Sequence, residues 1–120
     1  MLRTIPKRIM THSATLRAVT ETDRWGKATY AEHNLVRIHV QPVHEVVKNS
    51  SDKNVNLNAV LFYDPRVSSP SVDWQALQSA SDLANGQMKV GYNGKEYTVW
   101  NIDILPDDEG RLHHVEVSLY

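Results

Sequence analysis

Three observations predict that this 120-residue chain is mainly β, a small antiparallel barrel or sandwich of about six or seven strands with one short helix. Apolar and polar residues alternate with period two in several separate segments, as strands with one buried and one wet face require. Clusters of Gly, Pro, Asn, Asp and Ser divide these segments at short intervals. Only Val72 to Ala84 repeats its apolar residues at helical spacing instead.

The elements follow in order. Ile9 to Val19 is rich in Thr and branched residues, with His12, Ala14, Leu16 and Ala18 on one face and Thr11, Ser13, Thr15 and Arg17 on the other. Thr20 to Lys27 is a turn in which Gly26 can take a positive φ, and it displays Trp25 near a loop tip. Asn34 to Val43 alternates again, with Val36, Ile38 and Val40 opposing Arg37, His39 and Gln41, and Val46 and Val47 extend the pattern beyond Pro42, where a kink is expected. The polar run Lys48, Asn49, Ser50, Ser51, Asp52, Lys53 and Asn54 breaks both periodicities before Val55 to Tyr63 resumes, so the two strands read as a hairpin with a long, mobile loop. Asp64-Pro65 and Ser69-Pro70 end that strand. Trp74, Leu77, Ala80 and Ala84 share one helix face, capped by Ser71 or Asp73 and stopped by Asn85-Gly86. Gln87 to Tyr92 and Lys95 to Leu105 flank Asn93-Gly94, the dipeptide preferred in two-residue type I′ turns. After the turn from Pro106 to Gly110, Arg111 to Tyr120 alternates with His113, Val115, Val117 and Leu119 on one side.

A chain of this length forms one domain, here residues 9–120, preceded by a flexible N-terminal arm over residues 1–8 whose Pro6 and basic residues give it little reason to pack. A hydrophobic fraction of 41% and a net charge of −1 describe an ordinary soluble globule. With no cysteine, the chain uses neither disulfides nor thiolate ligands, which fits a reducing compartment. No apolar run follows the basic N-terminus, so neither secretion nor a membrane partner is expected. The basic residues are scattered among acids, which argues against specific recognition of duplex DNA.

The side chains that carry chemistry do not gather into a catalytic motif. Six histidines invite a metal, but His113 and His114 are adjacent and should project to opposite faces, and His39 and His44 should also diverge unless the Pro42 kink intervenes. Asp107, Asp108 and Glu109 sit in a turn and read as solvated charge. There is no Gly-x-Ser-x-Gly elbow and no phosphate-binding Gly-rich loop. No enzyme activity, cofactor or metal is expected. Trp74 and Trp100 lie on regular elements where burial accounts for them, whereas Trp25 in its polar loop, with Arg8 in the arm, is a candidate interface residue.

Four segments together resemble a known family. They are Ile5-Pro6-Lys7-Arg8-Ile9, Leu61-Phe62-Tyr63-Asp64, Tyr92-Asn93-Gly94-Lys95-Glu96-Tyr97-Thr98-Val99 and Leu112-His113-His114-Val115-Glu116-Val117. The pattern resembles the phage minor capsid protein family of tailed bacteriophages and prophages, with Trp74 to Asn85 fitting least. The resemblance implies a β-barrel subunit of the virion neck, made in the bacterial cytoplasm, that forms a ring, in the virion a hexamer, between a portal or adaptor protein and a tail protein and keeps packaged DNA in the head. On this reading the loop from Lys48 to Asn54 points into the channel, where Lys48 and Lys53 meet DNA phosphates or acids of neighbouring subunits. Two alternatives stand beside head closure. One is a tail-terminator or adaptor-like ring protein. The other is a single-stranded nucleic-acid binder of the OB type, with Tyr92, Tyr97 and Trp100 as a stacking platform.

Overall fold

The alternating segments form six strands in a computed structural model that describes residues 7–25, 27–48, 51–84, 87–106 and 108–120. They are β1 (His12–Thr22), β2 (Ala28–Lys48), β3 (Asn54–Tyr63), β4 (Lys89–Tyr92), β5 (Lys95–Pro106) and β6 (Leu112–Leu119), with one helix, α1 (Trp74–Ala84), between β3 and β4. All pairings are antiparallel, and the order β1-β2-β3-β6-β5-β4 returns to β1 to close a barrel. The predicted fold class is the observed one. Lys7–Ile9 is a short 3₁₀ turn, so Ile9 precedes the first strand instead of opening it. The rest of the expected arm, residues 1–6, lies outside the described residues, as do Gly26, Asn49, Ser50, Asn85, Gly86 and Asp107.

The core is the inward face of that alternation. Leu16, Leu35, Ile38, Leu61, Val90, Val115, Val117 and Leu119 are fully enclosed, and each contributes about 1.5–3 kcal/mol by leaving water. One strand departs from simple period two. Leu35 and Ile38 both point inward while Val36 is exposed, because β1 pairs Ser13 with Val36 and His12 with Ile38 and skips Arg37. Arg37 has φ of 55°, so the expected face of Val36, Ile38 and Val40 holds only for the last two. Two interactions pin this bulge. Val36 exchanges backbone hydrogen bonds with Ser69 at 2.8 and 3.1 Å, and the Ser68 hydroxyl donates to the Arg37 carbonyl at 2.6 Å. The expected kink at Pro42 is a second register shift, between Pro42 and Glu45.

The segment from Asp64 to Asp73 carries the chain from β3 to α1 and is tied down at several points. The buried Asp64 carboxylate accepts from the Arg66 backbone N–H at 2.9 Å and from the Arg66 Nε and Nη2 at 3.0 Å each, and its backbone N–H donates to Ser68 Oγ at 3.1 Å. Burial pushes this carboxyl up, but the hydrogen bonds and charge of Arg66 outweigh burial and hold it below its ordinary value. The Tyr63 hydroxyl donates to the Pro70 carbonyl at 2.8 Å and accepts from the Val72 N–H at 3.2 Å. Asp73 caps the helix, its Oδ1 accepting from the Ala76 N–H at 3.1 Å. Trp74 then enters the core and meets the Tyr63 ring edge-on at 5.3 Å. The helix packs mainly on β1 and also reaches β5, beside the short β4. Asn93 and Gly94 take φ of 51° and 80° between β4 and β5, the predicted type I′ geometry.

Candidate assembly interface

Two strand pairs outrun the barrel. Asn54, Val55, Asn56 and Leu57 pair with Lys48, Val47, Val46 and Glu45 of β2, whereas β6 joins β3 only from Ala59 onward. Among the described residues no further strand pairs with either edge of this arm, and Val46 on it is exposed. The polar run Lys48 to Asn54 is shorter as a loop than the sequence suggests. Lys48 and Asn54 face one another as the last pair of the ladder, with 49–53 between them in sequence. Ser51, Asp52 and Lys53 are exposed, Asp52 has φ of 61°, and its carboxylate bridges Lys48 Nζ at 3.4 Å. Exposed pairs of this kind contribute little to stability and exchange readily.

Near the base of this arm is an open cleft of about 560 Å³, bounded by Pro42, His44 and Asn58 on one side and by Lys95, Glu96, Tyr97 and Tyr120 on the other. His39 is directed elsewhere, stacking on His12 at 5.0 Å and lying 6.0 Å from Phe62. His44 borders this cleft and His39 does not, even with the register shift between Pro42 and Glu45 separating them. No group of three or more His, Cys, Asp or Glu among the described residues is placed to hold a metal ion.

The second arm joins β1 to β2. Val19, Glu21 and Thr22 pair with Tyr30, Thr29 and Ala28, beyond the last β1 residue that β4 reaches. At its tip Asp23 Oδ1 accepts from the backbone N–H of Trp25 and of Lys27 at 2.9 and 2.8 Å, and Trp25 is left in solvent with the Arg24 guanidinium 4.1 Å from its ring centre. Trp25 is thus displayed and not folded back. Arg8, the other candidate, is exposed in the 3₁₀ turn.

His113 and His114 differ from expectation. Their adjacency puts the Cβ atoms on opposite faces, yet both side chains are buried and their Nδ1 atoms meet at 2.7 Å. Nδ1 lies close to the backbone, so two rings turned along the strand can touch even when their Cβ bonds diverge; here the β5–β6 register also slips, between Leu105 and Pro106. His114 Nε2 lies 3.0 Å from Glu116 Oε2, and His113 Nε2 is buried without a hydrogen-bond partner. Because a carboxylate only accepts, His114 carries its proton on Nε2, and in the neutral pair His113 donates from Nδ1. Of the turn carboxylates, Glu109 pairs with Arg111 at 2.9 Å.

Tyr92 and Tyr97 pack on the core, and Trp100, only partly buried, meets Tyr120 edge-on at 6.0 Å. All three are partly buried, and Tyr97 also borders the open cleft beside Tyr120. Sequence reasoning took Asp64 only as the end of a strand, although an Asp two residues before Arg66 and four before Ser68 is a recognisable turn signature.

The fold and its exposed features define a class: a small closed β-barrel whose distinctive surfaces are projecting strand pairs, a module suited to building assemblies. A family model described as minor capsid protein matches residues 6–119, and the chain belongs to that family. It is therefore a structural component of a bacteriophage virion. No curated protein sequence matches the chain. Among the described residues no helix is long and apolar enough to cross a membrane.

Proposed function

We propose that this capsid protein is a head-closure, or stopper, subunit of the phage neck, working by assembly and not by catalysis. Copies form a ring, hexameric in the virion, between a portal or adaptor protein and a tail protein, and the ring retains packaged DNA. The observation that carries this reading is the β2–β3 arm. A subunit that closes a channel needs a closed body and a narrow element that extends beyond it; the barrel supplies the first and the arm from Glu45 to Leu57 the second. Lys48 and Lys53 give its end two cations. The Lys48 to Asp52 pair is exposed, so Lys48 can exchange its carboxylate for a DNA phosphate at little cost. The packing of Tyr92 and Tyr97 on the core favours this reading over an OB-type platform.

The arm is tested by replacing residues 49–53 with Asn-Gly, a two-residue turn that preserves the Lys48 to Asn54 pairing, and separately by a K48S/K53S variant. Both variants are expected to fold and to join heads, but the heads should lose DNA to added nuclease. Retention equal to wild type in both would remove the arm from the closure mechanism.

A further inference from the structure

Three rings meet where the first strand begins. His12, which opens β1, stacks on His39 of β2 with ring centres 5.0 Å apart and planes 20° from parallel, and it also meets Tyr92 of β4 at 5.5 Å. His12 has a second contact. The β1–β2 register ends at the pair of His12 and Ile38, two residues short of Val40. Val40 is buried, and its backbone N–H donates to His12 Nδ1 at 2.9 Å. A buried N–H left without an acceptor is costly, so here a side chain stands in for the ladder bond that β1 no longer supplies.

That bond needs an uncharged ring. Nδ1 accepts, so His12 carries its proton on Nε2, whereas an imidazolium carries one on both nitrogens and would set Nδ1–H against the Val40 N–H. The stacked partner gives no relief. His39 Nδ1 is buried without a hydrogen-bond partner, so a cation there would hold a buried N–H with no acceptor, and charge on both stacked rings is repulsive. The other groups around the stack do not supply an anion at hand. Tyr92 is a phenol, and Lys95 of β5, opposite it in register, is a cation. Glu116 of β6 shares a row of the sheet with His39 but lies beyond Phe62, where His114 Nε2 holds it at 3.0 Å.

We propose that His12 is an acid-sensitive latch of the barrel: the neutral ring ties the start of β1 to β2 at Val40, and a proton on it releases that end. The released parts are defined by the chain. Lys7–Ile9, with the exposed Arg8, leads into β1, and β2 runs on from Val40 into the arm that ends at Lys48. Opening the latch frees the segment before β1, leaving the buried Met10 as its remaining hold, and uncovers the β2 edge at the base of the arm. The sign of the effect follows from which form takes the proton. The closed arrangement excludes a proton that the open one accepts, so the contribution of the latch is fully present above the ordinary histidine range, about pH 6.5, and is lost as pH falls below it. The inference concerns the barrel alone and does not depend on where the protein sits in the neck.

Amide hydrogen exchange at Val40, followed in nitrogen-15 correlation spectra and corrected for the intrinsic pH dependence of exchange, reads the latch in the wild-type protein. If His12 alone charges on opening, Val40 protection should fall roughly 25-fold between pH 7 and pH 5, while the ladder amides of Val115 and Val117 keep theirs. H12N places an amide oxygen where Nδ1 stands and does not titrate, so its Val40 protection should change less than about threefold over the same range. A change of less than about threefold in the wild-type protein overturns the proposal by itself, with no variant needed. A fall in H12N equal to that of wild type also overturns it, as does an equal fall in every strand, the mark of global unfolding in acid.

Discussion

Asp64 is the residue whose removal tests the energetics most sharply. Its side chain is 2% exposed and its partner Arg66 is 47% exposed, so substitution strands a buried group on one side and a hydrated one on the other. In D64N the amide oxygen can still accept from the Arg66 N–H and Nε, but the amide nitrogen replaces Oδ2 opposite Nη2 and sets two donors against each other. Losing one charge-assisted bond costs about 1.5–3 kcal/mol, and the exposure of Arg66 favours the lower half of that range. We expect about 2 kcal/mol, or roughly 8 °C in melting temperature for a domain of this size. The pH dependence gives a second test. Because folding lowers the Asp64 carboxyl, its contribution is fully present above the unfolded value of about 4 and is lost as pH falls through the lower folded value. The other carboxylates titrate in both proteins, so the difference between them isolates this group. Thermal unfolding at pH 7 and pH 3 should therefore show a gap that narrows in acid. A D64N melt within 2 °C of wild type at pH 7, or a gap equally wide at pH 3, would refute the assignment of Asp64 as the tie of this segment.

Three further outcomes follow from the packing. W74A should cost about 3–5 kcal/mol in urea unfolding, whereas W74F, which keeps an aromatic ring against Tyr63 and removes an indole N–H that is buried without a partner, should cost less than half as much. A G94A substitution meets open space but is forced to φ near 80°, so it should lower stability by about 1–2 kcal/mol through backbone strain alone, and N93A at the adjacent positive φ by less than 2 kcal/mol. Nitrogen-15 correlation spectra of the neutral protein should show the Nδ1–H tautomer at His113 and the Nε2–H tautomer at His114; the reverse pattern would contradict the order of donors from His113 to Glu116.

The strands that sequence located best are those with a specified turn or a run of alternating apolar residues. Lys89 to Val99 needed only Asn93-Gly94, and the last strand only the alternation of Val115, Val117 and Leu119. The helix was legible from Trp74, Leu77 and the Asp73 cap. Where the account failed, a distant residue decided the geometry. Nothing near Arg37 announces a bulge, because Ser68 and Ser69, some thirty positions away, hold it. The start of β2 at Ala28 was also missed, since the small and polar residues from Ala28 to His33 carry a weak apolar signal and gain their strand pairing from β1. The site was legible in part. Lys48 to Asn54 and Trp25 stand out by polarity and context, but sequence could not show that Lys48 and Asn54 close a ladder, or that the turn directs Asp23 inward and leaves Arg24 on the indole.

The central claim is head closure, and its most direct measurement adds the purified protein to DNA-filled heads assembled without it, then scores binding and DNA content by electron microscopy. The account predicts a ring at the portal vertex and heads that keep their DNA. Protein bound to tails or tail tubes, with heads left bare and emptying, would contradict it and move the protein to the tail side of the joint.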